Sequence, residues 1–206
     1  MTESGSRRPL KTRSAGWAQA LARGLGGAGL TPNAISVLGV LCAAAGAGAF
    51  LLADESRWFW LGGALGIQLR LLANMLDGLV AVEGGQASAT GALFNELPDR
   101  IEDALLIVAA AYAAGVPELG YGATILAVAT AYIRATGGAL GLPQDFAGPM
   151  AKQHRMFVLT VGAVLSALLP ELRAMEIALW IIAVGSALTC IVRTRRIAAL
   201  LKARAR

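Results

Sequence analysis

Two stretches of this 206-residue chain carry ionisable or amide side chains among apolar neighbours. The first reads Arg70-Leu-Leu-Ala-Asn74-Met-Leu-Asp77-Gly78-Leu-Val-Ala81-Val82, the second Gly91-Ala-Leu-Phe-Asn95-Glu96-Leu-Pro98-Asp99-Arg100-Ile-Glu102-Asp103. A charge at the centre of a membrane helix costs about 2.5–3.5 kcal/mol on insertion scales, so charges kept there mark function or a dedicated partner. At about 100° per residue, Asn74 and Asp77 fall about 60° apart on one helix face. Asn95, Asp99 and Asp103 advance about 40° per step and also share a face. Two antiparallel helices joined by a short loop would bring these faces together as an oxygen-rich cage. Gly78, Ala81 and Gly91 leave room in it for a ligand. Hard oxygen donors of this kind suit Mg²⁺ or Mn²⁺ bound together with substrate phosphates. Singly, each residue is as well explained by a wet helix end, or by Arg70 or Arg100 pairing with Asp99 or Asp103. The regular spacing across two helices favours the cage.

The elements that must carry it follow from composition. Hydrophobic residues are 56% and charged residues 15%, against about 25% charged in soluble domains. With a mean hydropathy of +0.62, the chain reads as an all-α integral membrane protein. Residues 1–14 are polar, basic and aperiodic, expected as a disordered tail, and the first long apolar run begins too late for a signal peptide. Trp17, Leu21 and Leu25 recur every four residues, the mark of an amphipathic interfacial helix over 15–28. Leu30-Thr31-Pro32-Asn33 is a turn ahead of a helix. Six spans are expected within 30–196: 34–53, 58–82, 91–115, 119–137, 156–169 and 177–192, the last two extending through polar flanks. A basic tail, 197–206, follows. Gly62-x-x-x-Gly66 and Gly137-x-x-x-Gly141 suit close helix contacts. Cys42 and Cys190 sit in apolar runs, with neither a disulfide nor a zinc spacing.

Basic residues choose the orientation. Arg7, Arg8, Lys11, Arg13 and Arg23 lie ahead of the first span, Lys152 and Arg155 in the 138–155 loop, and Arg193, Arg195, Arg196, Lys202, Arg204 and Arg206 at the end. The opposite loops hold only Arg57 and Arg173. The positive-inside rule then puts both termini, and the cage, at the cytoplasmic face of a bacterial-type inner membrane. Anionic lipid explains the basic ends without a nucleic-acid partner.

The cage spacing resembles the CDP-alcohol phosphotransferase (CDP-alcohol phosphatidyltransferase) family, whose signature is Asp-x2-Asp-Gly-x2-Ala-Arg-x8-Gly-x3-Asp-x3-Asp. This chain has Asn74-x2-Asp77-Gly78-x2-Ala81-Val82-x8-Gly91-x3-Asn95-x3-Asp99, with every gap the same length. Leu30-Thr31-Pro32-Asn33 and six helices behind a surface helix are similar to the family as well. The resemblance implies transfer of a phosphatidyl group from CDP-diacylglycerol to an alcohol, with release of CMP, by a homodimer. It implies metal ligation by Asn74, Asp77, Asn95 and Asp99, with Asp99 as base toward the acceptor hydroxyl. It sets nucleotide and diphosphate against Asp77, Gly78, Ala81 and Gly91. Three positions depart from the signature: Asn74 and Asn95 replace aspartates, and Val82 replaces the arginine. The amide oxygens can still coordinate a cation, but the nominal charge of the cage halves. One tightly held metal then fits as well as two, with Glu83, Glu96, Glu102 or Asp103 as spare carboxylates.

Arg134, Lys152 and Arg155 could hold a phosphorylated acceptor such as glycerol 3-phosphate or an inositol phosphate; Lys152 and Arg155 would also be present merely to satisfy topology. His154 reads as an interfacial residue. Arg70, one turn behind Asn74, is open between a substrate contact and a partner for Asp103. The competing readings are a catalytically impaired CDP-lipid-binding homologue, an intramembrane prenyltransferase and a small transporter. A prenyltransferase would show a second acidic motif after Asp103, and a transporter would show repeats and charges at mid-membrane depth.

Overall fold

The computed structural model describes residues 16–83 and 90–205; the tail expected over 1–14 lies outside them. Among the described residues seven α-helices follow one another. They are α1 (Gly16–Gly27), α2 (Pro32–Leu51), α3 (Phe59–Glu83), α4 (Gly91–Ala113), α5 (Pro117–Ala139), α6 (Lys152–Leu168) and α7 (Ala174–Arg204), with a short 3-10 turn at Pro170–Leu172. Helices α2, α3 and α7 are long and apolar enough to cross a bilayer. Along them Leu41, Leu65, Trp180 and Val184 are exposed, apolar surface that water would not tolerate on this scale. The molecule is an all-α membrane protein. Its described residues form two compact units, 16–110 and 111–205, the division falling in the last turn of α4.

In the first unit α1 is stopped by Gly29, whose φ of 81° only glycine adopts at low cost. The amides of Gly29 and Leu30 return to the carbonyls of Gly26 and Leu25, at 3.0 and 3.1 Å, a Schellman closure. The expected turn at Leu30–Asn33 then starts α2: Thr31 is extended, its hydroxyl caps Ala34 N at 3.2 Å, and Pro32 occupies the first turn. The apolar stripe of α1 is split. Leu25 packs inward with Ala18 and Ala22 against Leu76, Leu79 and Val80 of α3, while Trp17 and Leu21 remain exposed. Alanines let α1 lie close on α3, and the bulky residues are left for the outer side.

Helices α2 and α3 are antiparallel and touch backbone to backbone. A Cβ at Gly66 would stand 2.4 Å from the Cα of Gly46, and one at Gly63 would enter the Phe50 ring. Of the two expected contact motifs, this one forms. The other divides its labour: Gly137 packs against Ile197 within the second unit, but Gly141 lies beyond α5, turning the chain at φ 77°.

In the second unit α5 and α6 pack on α7. Helix α6 starts at Lys152, earlier than Met156, and α7 runs 31 residues, far beyond Val192. The expected C-terminal tail is therefore helical through Arg204. Ala, Leu, Lys and Arg are strong helix formers, and Lys202 and Arg204 suit the negative end of the helix dipole. Ahead of α7, Arg173 sits in the left-handed region at φ 48°. The 140–151 segment is tied down to α7: Met150 N donates to Thr189 Oγ1 at 2.9 Å, and Arg196 Nε to Asp145 Oδ2 at 2.8 Å.

Gly66→Ala should force α2 and α3 apart and cost about 1–3 kcal/mol, read as a lower melting temperature in detergent. Arg173→Gly should do the opposite, relieving about 1 kcal/mol of left-handed strain and raising the melting temperature by about 2–4 °C.

Candidate active site

The cage is built where α2, α3 and α4 meet inside the first unit. Its deepest member is Arg70, fully buried. Nη1 and Nη2 both donate to Asp103 Oδ1 at 2.8 Å, and Nε lies 3.3 Å from Glu102 Oε2. Arg70 is thus an ion-pair partner within the helix interface. A guanidinium out of water is tolerated only with such compensation.

One turn along α3, Asn74 Nδ2 donates to Asp99 Oδ1 and to Glu102 Oε2, each at 2.8 Å. Two carboxylate oxygens at that distance identify the amide atom as nitrogen, because oxygen would be repelled by both. Asn74, expected to offer its oxygen to a cation, here meets the two carboxylates through its nitrogen. Asp99 is also approached by Arg100 Nη2 at 3.4 Å. Behind Asn74 stands Gly39 of α2: a Cβ there would come within 2.9 Å of Glu102 Oε1 and 3.2 Å of Asn74 Oδ1. Another turn on, the buried Asp77 accepts from Ser36 Oγ of α2 at 2.7 Å. Ser36 and Gly39 were not singled out in the sequence. Both sit in an apolar run with no periodicity of their own, and only the α2–α3 register brings them here.

Gly78, Ala81 and Gly91 are half-buried, and Val82, at the arginine position of the signature, is exposed. The side chains of Asn95 and Glu83 lie outside the described residues. Among the described residues, no group of three or more His, Cys, Asp or Glu side chains converges as a ready metal site. The oxygen donors present are the carboxylates of Asp77 and Asp99, while Asn74 Oδ1 is turned toward Gly39. The two carboxylates fit a hard divalent cation that draws further ligands from substrate phosphates.

The other expected site residues lie in the second unit. Arg134 Nη1 donates to Gln144 Oε1 at 2.7 Å, and its guanidinium lies 5.2 Å from the centre of the Phe146 ring. Arg155 is buried, its Nη1 donating to Met150 O at 3.2 Å and to Thr130 Oγ1 at 3.4 Å. Lys152 opens α6, half-buried. His154 is exposed beside the carbonyl of Pro149. Arg193, expected only to orient the chain, is buried as well and bonds Thr130 O at 2.7 Å and Ala147 O at 2.8 Å. Its place directly after Val192, ahead of the Arg195-Arg196 pair, was the only trace of this in the sequence.

No family model matches the chain. Curated proteins do. A phosphatidylinositol phosphate synthase of Mycolicibacterium smegmatis is 32% identical over 180 residues, covering 82% of this chain and 78% of that one. The chain belongs to the CDP-alcohol phosphatidyltransferase family. A second member, the phosphatidylinositol phosphate synthase of Mycobacterium tuberculosis strain H37Rv, is 32% identical over 84% of this chain and 82% of its own. The family fold is shared as well. The crystal structure of the M. tuberculosis enzyme with CDP-DAG bound superposes with a TM-score of 0.78 at 27% identity, covering 89% of this chain and 94% of that one. The same enzyme in complex with manganese and citrate gives 0.77 at 27% identity, over 87% and 88%.

Removing Arg70 leaves Glu102 and Asp103 buried without their cation. Arg70→Met should cost this CDP-alcohol phosphatidyltransferase about 3–5 kcal/mol, visible as loss of folded protein or a large drop in melting temperature.

Proposed function

We propose that the chain transfers a phosphatidyl group from CDP-diacylglycerol to the hydroxyl of a phosphorylated alcohol, with an inositol phosphate as the preferred acceptor, and releases CMP. The observation that carries this reading is the pairing of Asp99 with Asn74 across α3 and α4, one helical turn from Asp77. Relatives named phosphatidylinositol phosphate synthase over most of their length support the acceptor class.

Asp77, Asp99 and Asn95 would hold Mg²⁺ or Mn²⁺, and Asn74 would join them once its amide turned its oxygen, now toward Gly39, to the cation. A bound divalent cation neutralises the diphosphate and the charge that develops on departing CMP. Gly78, Ala81 and Gly91 leave space for the nucleotide and diphosphate. Asp99 takes the proton from the acceptor hydroxyl, whose oxygen bonds to the lipid-side phosphorus as the bond from that phosphorus to the CMP oxygen breaks. Asn74 and Arg100 orient the Asp99 carboxylate for this. Arg134, Lys152 and Arg155 are the acceptor-phosphate residues, with Arg193 beside Arg155 on Thr130. Guanidinium groups gathered around one segment suit a phosphate dianion.

In this reading α2–α7 are the six spans and 30–196 is the catalytic domain. Helices α4 and α5, 23 residues each, reach about 34 Å at 1.5 Å per residue, enough to cross a hydrocarbon core. Helix α1 lies on the membrane surface, both termini are cytoplasmic, and the active form is a homodimer.

Purified protein given CDP-diacylglycerol, Mn²⁺ and a panel of glycerol 3-phosphate, inositol phosphate, serine and glycerol should form CMP fastest with inositol phosphate. Asp99→Ala should abolish CMP formation without lowering the melting temperature. Binding of CDP-diacylglycerol with no CMP from any acceptor would replace the enzyme by a lipid-binding homologue. Arg134→Ala should raise KM for the acceptor about tenfold, the weight of one charge-assisted contact, and leave KM for CDP-diacylglycerol unchanged.

A further inference from the structure

The segment between α5 and α6 hands two backbone carbonyls to two buried arginines. Ala147 O accepts from Arg193 Nε at 2.8 Å, and Met150 O accepts from Arg155 Nη1 at 3.2 Å. The same two side chains meet on Thr130, Arg193 at its carbonyl and Arg155 at its hydroxyl. Both hydrogen bonds of Arg193 thus go to carbonyl oxygens. Neutral dipoles orient a guanidinium without cancelling its charge, which is the state a binding site for an anion needs. Of its two acceptors, Thr130 O is fixed within α5. Ala147 O stands in a loop and has to be fixed by other means.

Asp145 Oδ1 accepts from Ala147 N at 2.8 Å and closes an Asx turn. Its other oxygen, Oδ2, accepts from Arg196 Nε of α7 at 2.8 Å. Beyond Ala147 the chain turns through Gly148 at φ 117°, where a Cβ would stand 2.5 Å from Thr189 Cγ2, and Met150 N is held on Thr189 Oγ1. Thr189, Arg193 and Arg196 follow one another on a single face of α7. The Arg196 side chain is 60% exposed against 10% for Asp145, and an ion pair so open to water adds little to folding. Its effect is on where the loop sits.

We propose that Asp145 and Arg196 are positioning residues for the acceptor subsite. Arg196 holds the Asp145 carboxylate, the carboxylate holds the turn, and the turn sets Ala147 O so that Arg193 presents its guanidinium to the acceptor phosphate. The inference rests on the reading of Arg155 and Arg193 as groups that meet that phosphate. Part of the basic stretch after Val192 then builds the acceptor pocket as well as orienting the chain.

The test compares the parent with R196A, D145N, D145N/R196A and D145A. Readouts are kcat, KM for inositol phosphate, KM for CDP-diacylglycerol, melting in detergent, and the Kd of inositol phosphate by calorimetry. R196A and D145N remove the ion pair but leave an oxygen for Ala147 N, so each should raise the acceptor KM and Kd about fivefold. D145A also loses the turn and should raise both about twentyfold. KM for CDP-diacylglycerol and the melting temperature should stay near the parent values, a split that a merely structural pair would not give. Because Arg196 acts only through Asp145, D145N/R196A should match D145N. Multiplied effects in the double variant would make Arg196 a direct phosphate contact and overturn the proposal. An acceptor KM within about twofold of the parent in both single variants would do the same and leave the transferase reading intact. Should D145A fail to fold, the other three variants decide. Calorimetry needs no turnover: weaker binding in the variants of a parent that forms no CMP would sink the transferase reading and leave the positioning pair standing.

Discussion

The buried contact of Arg70 with Glu102 and Asp103 is the constraint on which the first unit depends. An arginine cannot lose its charge by deprotonation, so a fully buried one obliges its neighbours to be anionic and close. Because Glu102 and Asp103 are adjacent on α4, one guanidinium fixes the rotation of that helix about its axis as well as its height against α3. With rotation and height set, Asp99 one turn away must face Asn74. The reactive end of the interface is therefore aligned from its inert end.

Helix α2 completes the arrangement by what it omits. Where it crosses α3 near Gly46 and Gly66 the backbones meet, so the register of the two helices is fixed by steric exclusion. That register carries Ser36 to Asp77 and the bare Cα of Gly39 to the Asn74–Glu102 pair. Close packing at one place thus sets polar geometry two and three turns distant. A larger residue at Gly46 or Gly66 would be felt at Asp77 although it touches nothing polar.

Much of this could be read from residue types and spacing. The intervals between Asn74, Asp77, Asn95 and Asp99 depend only on helical periodicity, which is why a polar face on each helix is legible in the sequence. Thr31-Pro32 marked the start of α2 for equally local reasons. Partners across helices were harder. Glu102 looked like a spare acid and Arg70 an undecided cation, because i, i+4 logic ranks faces of one helix and says nothing of the register between two. Arg193 was hidden differently: topology already accounted for a basic residue at that point, so its burial left no unexplained remainder. Helices α6 and α7 do extend through their polar flanks, α7 the further, because Lys, Arg and Ala continue a helix as well as leucine does.

The length of α7 carries a consequence for how the second unit sits in lipid. Thirty-one residues extend about 46 Å at 1.5 Å per residue, some 16 Å more than a hydrocarbon slab of about 30 Å. The surplus carries Arg195, Arg196, Lys202 and Arg204 on one unbroken rod. Sinking the rod would drag guanidinium groups among acyl chains, and lifting it would bare Ile191 and Val192 to water. It floats at one draught, like a weighted buoy. Since the 140–151 segment is moored to the same rod by Thr189, Arg193 and Arg196, that segment rides at a fixed depth too.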